Sequence, residues 1–69
     1  MKSYAEVIKL AAKQALDTYM SGSYAPWQQV DFELIAFIYE VPTKQVAIDA
    51  GTVYDALQEE QFAQFKAMK

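Results

Sequence analysis

Val30-Asp31-Phe32-Glu33-Leu34-Ile35-Ala36-Phe37-Ile38-Tyr39 is the stretch whose reading decides the fold of this chain. Two patterns compete in it. Val30, Phe32, Leu34, Ala36 and Ile38 alternate as a half-buried strand would, and aromatic and β-branched types are abundant. Yet Leu34 to Tyr39 is apolar on both faces, and no hairpin turn or second strand-like run offers a pairing partner. A buried helix over about 26–40 is therefore expected. Pro26 would open it as first residue, where its missing N–H costs nothing; alternatively Asp31 would cap it after a short turn around Trp27.

Outward from this stretch, both flanks read as helix. On the N-terminal side, Ser3 followed by Glu6 fits a capping box. Tyr4, Val7, Ile8, Ala11, Ala12, Ala15, Leu16 and Tyr19 then recur at three- and four-residue steps, with Lys9, Lys13, Gln14 and Asp17 on the other side. Gly22 supplies a left-handed stop, so a helix is expected over 3–20. On the C-terminal side, Pro42 disfavours helix at Val41, and Thr43 is the expected cap of the next helix. Val46, Ala50, Val53, Tyr54 and Leu57 form a further stripe. Gly51 interrupts it, and Thr52 with Asp55 offers a weaker second start, so 43–68 is either one kinked helix or two. The expected fold is all-α: three to four short helices, about 3–20, 26–40, 43–50 and 52–67, in one compact domain spanning 1–69.

Sixty-nine residues make a small core, and chains of this size often depend on a disulfide, a metal or a second subunit. The sequence contains no Cys and no His, which removes disulfides and the commonest ligands of transition metals. A homodimer is the expected remaining source of stability. All six basic residues are Lys, against nine Asp and Glu, for a net charge of −3. With no Arg there is no bidentate grip on phosphate or guanine, and the acidic balance further weakens nucleic-acid binding. The longest apolar run, Leu34–Tyr39, is far short of the ~20 residues needed to span a bilayer. Glu6, Lys9 and Lys13 interrupt any leader-like start. No membrane association and a cytoplasmic location are expected.

Arrangements that carry chemistry are hard to assemble from these residues. Ser3, Ser21 and Ser23 lack a His base, and Ser3 is better explained as a cap. Asp55 and Glu59, four apart on one helix face, form the best carboxylate pair, but no loop of alternating oxygen ligands accompanies them, so a solvated face is the simpler reading. Gly22 and Gly51 are the only glycines, too few for a phosphate-cradling loop. No catalytic residue, cofactor or metal is expected, and the chain is read as a non-enzyme.

Leu34-Ile-Ala-Phe-Ile-Tyr-Glu-Val-Pro-Thr-Lys-Gln-Val46 resembles the helix-turn-helix motif: an alanine within the first helix, a turn four residues later, and an apolar residue inside the second. The resemblance covers about twenty residues. It implies DNA contacts from Thr43, Lys44 and Gln45, within a transcriptional regulator using 34–50. Glu40 stands where the motif usually has glycine, and Asp49 where a second buried apolar residue belongs. The would-be recognition helix also turns acidic at Asp49, Asp55, Glu59 and Glu60, whereas affinity for DNA comes from cations on phosphates.

Apolar surplus points elsewhere. One Trp, five Tyr and four Phe are difficult to hide in a core this small. Leu10 sits opposite the first stripe, Trp27 beside the loop, and Phe62 and Phe65 beside the last stripe; these four are the candidate interaction surface. The expected function is that of a small regulatory or accessory protein acting by protein–protein interaction, with itself and with an unidentified protein. By analogy of size and composition alone, phages and mobile elements encode such chains.

Overall fold

The computed structural model describes residues 2–22 and 25–67, without the side chains of Phe65 and Ala67. Three helices occur in chain order: α1 (Tyr4–Met20), α2 (Phe32–Tyr39) and α3 (Thr43–Ala67). The stretch 30–39 is therefore helical from Phe32 on, and no residue among those described is in a strand.

Each helix end has a local cause. Ser3 Oγ accepts from the Glu6 N–H at 3.2 Å and starts α1. Gly22, at φ 100°, takes the left-handed geometry that ends it. The Pro26 start for the second helix is not realised. Instead, residues 25–30 make two tight turns, Gln28 N–H to the Ala25 carbonyl and Val30 N–H to the Trp27 carbonyl. Helix α2 begins only after Asp31, whose side chain accepts from the Leu34 N–H at 3.0 Å. At its far end Glu40 sits at φ 55°, ψ 43°, and the Val41 N–H returns to the Ala36 carbonyl. That is a Schellman-type stop made without glycine. Thr43 is not the cap of α3 but its first helical residue, because the Pro42 carbonyl already accepts from the Val46 N–H. Helix α3 continues through Gly51 to Ala67 as one element of 25 residues. Thr52 does not restart it; its hydroxyl donates back to the Ile48 carbonyl.

Helix α1 packs mainly on α3, and the two run parallel. Tyr4 meets Asp49 at one end, while Leu16, Tyr19 and Met20 meet Gln58, Gln61 and Phe62 at the other. Residues 21–31 must therefore return along the length of α1, and the turns around Trp27 belong to that return. Tyr4, Ile8, Ala12 and Leu16, four apart, place one ridge of α1 along α3. Ala12, Ala15 and Ala50 are completely buried, and so is Val46. Ile8, Ala36, Val46 and Ala50 form the central cluster, where the three helices meet. Around them pack Tyr4, Trp27, Phe32, Ile35, Val41 and Val53.

The expectation of a buried second helix holds only for one side of α2. Ala36 is buried, but Leu34, Phe37 and Ile38 are exposed, Phe37 at 83%. An eight-residue helix that is apolar nearly all round has mainly one neighbour, α3, to cover it. Helix α3, about 37 Å long at 1.5 Å per residue, sets the long dimension of a 44 × 22 × 21 Å molecule.

Two substitutions probe this packing in opposite directions. Val46→Ala removes two methylenes' worth of volume from the central cluster and should cost about 2 kcal/mol in urea unfolding. Gly51→Ala should add about 0.5–1 kcal/mol, since a Cβ built there meets nothing within 4 Å.

Candidate interaction surface

At the end of the molecule where all three helices converge, the side chains of Tyr4, Tyr39 and Asp49 form a polar knot over the core. The Tyr4 hydroxyl donates to Asp49 Oδ2 at 2.7 Å. Gln45 Nε2 donates to the other carboxylate oxygen at 2.8 Å. Tyr39 stacks edge-on against Tyr4, with ring centroids 5.7 Å apart, and donates to the Lys2 carbonyl at 2.6 Å. Burial pushes the Tyr4 phenol up to about 12, reinforced by its hydrogen bond to Asp49 and by that carboxylate's charge. The Tyr54 phenol is also raised, by burial first and then by Tyr19 and Asp55. Asp49 thus stands where a helix-turn-helix would bury an apolar residue, and Tyr4 satisfies it there.

The corner between α2 and α3 has a left-handed turn residue and buried apolar residues on both sides of it. Glu40 adopts the left-handed conformation that glycine usually supplies, Ala36 and Val46 are buried, and Ile35 and Val41 pack behind them. Thr43, Lys44 and Gln45 are all exposed. Their surroundings are acidic. Thr43 lines a shallow depression of about 430 Å³ together with Asp31 and Glu33, and Gln45 is held along the helix by Asp49. From residue 31 to residue 55 the chain carries Asp31, Glu33, Glu40, Asp49 and Asp55 against Lys44 alone.

Of the four residues singled out for contact, Leu10, Trp27 and Phe62 are not brought together. Trp27 is half-buried and packs between Phe32 and Tyr54, at centroid distances of 5.5 and 5.3 Å, so it works as a lid on the core. Leu10 is exposed and lines one groove, of about 240 Å³, with Val7, Val30, Leu34 and Ile35. Phe62, 58% exposed, lines another, of about 200 Å³, with Leu16, Tyr19, Met20, Gln58 and Gln61. The Phe65 side chain lies outside the described residues.

Sequence reasoning missed Leu34, Phe37 and Ile38 on α2, Ile48 on α3, and Tyr19 and Met20 at the end of α1, all exposed. The signal was present for α2: a short helix apolar on nearly every face must leave one of them uncovered. Nothing comparable marks Ile48.

Among the described residues, no group of three or more His, Cys, Asp or Glu is placed to hold a metal ion. None of their polar or charged side chains is fully buried, and no helix is long and apolar enough to cross a membrane. No protein-family model, curated protein or solved structure matches this chain.

The polar knot has a pH signature. Phenols raised in the folded state stabilise it fully below pH ~10 and lose that contribution as pH rises toward ~12. Stability should therefore fall across that interval, and phenolate absorbance should show a late-titrating tyrosine that Tyr4→Phe removes. The same substitution should cost about 1 kcal/mol at neutral pH, because Asp49 keeps only its Gln45 donor.

Proposed function

We propose that this chain is a non-catalytic regulatory or accessory protein that works in the cytoplasm by protein–protein contact, with a second copy of itself and with another protein. The observation that carries this reading is the amount of large apolar side chain left uncovered. Leu10, Tyr19, Met20, Leu34, Phe37, Ile38, Ile48 and Phe62 are all exposed in a chain of 69 residues. The accessible surface is 5298 Å², against about 4,400 Å² for a compact monomer of this mass. Scattered apolar residues are ordinary on a protein surface, but contiguous ones mark contact sites. Here Leu10 and Leu34 line one groove, and Tyr19, Met20 and Phe62 line another. The groove around Leu16, Tyr19, Met20 and Phe62 has no charged side chain in its lining, and Gln58 and Gln61 supply its amides. Such a lining suits an apolar helix face or an aromatic anchor of another protein.

A second reading, DNA binding through the α2–α3 corner, is favoured by the left-handed turn at Glu40 and the buried Ala36 and Val46. We rank it lower, because phosphate approaching Thr43 meets Asp31 and Glu33 in the same depression.

Capture from the native host separates the two. Wild-type chain should retain a specific polypeptide that Phe62→Asp fails to retain, with helicity by circular dichroism unchanged. Equal retention by both chains, or by neither, rejects the protein-contact reading. On non-specific DNA at low salt the chain should flow through; retention that is lost on adding salt would instead promote the second reading.

A further inference from the structure

The exposed side chains of α2 do not merely lack cover. They form one half of a shape whose other half lies beside them. Leu34, Phe37 and Ile38 are three and four residues apart, so they share one face of the helix. Phe37 is its most prominent member, 83% exposed and hardly touched by its own chain. One turn back, Leu34 forms the wall of the groove that also contains Val7, Leu10 and Ile35. A projecting aromatic ring thus lies beside an open groove of about 240 Å³ that is largely apolar, with Gln14, Gln29 and Asp31 also in its lining.

A patch carrying both a knob and its hole meets the requirement of a two-fold interface, in which residue i of one copy contacts residue j of the other and j contacts i. With the axis near Leu34, Phe37 of each copy would enter the Val7–Leu10 groove of its partner. Charge bears on the pairing. The α1 side of the patch is mixed, with exposed Glu6, Lys9, Lys13 and Asp17, and the α2 side carries exposed Glu33 and Glu40. Exchanging Phe37 between copies lays each α2 side over the partner's α1 side, where the patch's two lysines lie. Packing α2 directly on the partner's α2 would set Glu33 against Glu40 and is disfavoured. The area is also sufficient. Leu10, Leu34, Phe37 and Ile38 together expose on the order of 400 Å² of side chain, and a standard interface removes ~800 Å² per partner, about half of it apolar.

We infer that the face formed by Leu10, Leu34, Phe37 and Ile38 is occupied by a second copy of this chain, as an isologous dimer in which Phe37 is exchanged between grooves. This rests on the reading of the chain as an interaction module, and it leaves the Phe62 groove free for another protein.

Sedimentation equilibrium of the full chain at micromolar concentration should give twice the 7.8 kDa of one chain. Phe37→Asp, at a position its own fold barely touches, should raise the dissociation constant roughly 30-fold or more, and Phe62→Asp should leave it unchanged. Because the chain has no Cys, Leu34→Cys places a single thiol near the axis. Under mild oxidant it should form a covalent dimer faster than Gln61→Cys does. A wild-type mass of one chain, a dimer that survives Phe37→Asp, or equal cross-linking of the two thiol variants each overturns the assignment. A monomeric wild type that still retains its host polypeptide through Phe62 overturns the dimer alone; failure of the host capture removes the broader reading instead.

Discussion

The parallel contact between α1 and α3 is the constraint on which the rest of this structure depends. It is made with small side chains: Ala12 and Ala15 on α1 and Ala50 on α3 have no accessible surface at all. Alanine lets two helix backbones approach closely and favours the helix intrinsically, but it fills little volume. The seam therefore consumes helix surface without consuming the chain's large apolar residues. Val46, at the point where α2 joins the pair, is the one larger side chain among the described residues buried to the same degree.

That geometry has two consequences. Because α1 and α3 are parallel, the chain must travel back past α1 before α2 can begin, and the segment ending in Asp31 does this with two tight turns and Trp27. Trp27 then seals the flank between Phe32 and Tyr54. The second consequence concerns α2, which at eight residues is too short to run along the other helices and buries only Ala36 fully. Its bulky residues have no third helix to cover them. Phe37 is exposed because it lies on a face of α2 that α3, its main neighbour, does not cover.

Much of this arrangement is legible in the sequence. Ser3, Gly22 and the four-residue spacing of Tyr4, Ile8, Ala12 and Leu16 define α1 almost to the residue. The helical character of 32–39 is implied by the lack of any pairing partner for a strand. Where sequence reasoning departs from the structure, the reason is tertiary. Pro26 is as good a helix opener as Asp31 by local rules, but the chain has not yet returned to the end of α1 where α2 packs. Gly51 weakens a helix locally, yet α3 passes through it because Val46, Ala50 and Val53 on either side are anchored to the core. The exposed apolar surface is the least legible feature. Trp27 looks free beside a loop and is instead packed on the core, while Phe37 looks buried inside an apolar run and is instead the most exposed large apolar side chain described.

The corner between α2 and α3 shows how a shape and a chemistry can part company. At this corner Glu40 accepts a left-handed conformation costing an L-residue about 1 kcal/mol. That cost is met because the Val41 N–H and the Glu40 N–H both find the Ala36 carbonyl and Val41 reaches the core. The corner is thus a packing solution for joining a short helix to a long one. Reading a base sequence would require cations along the outer face of α3, and that face offers Lys44 before Asp55 and Glu59. An acidic corner flanked by exposed Phe37 and Ile48 presents apolar side chains and carboxylates together, a combination suited to a protein surface with lysines around an apolar centre. On the α1 side of the same chain, Lys9 and Lys13 flank Leu10 together with Glu6 and Asp17.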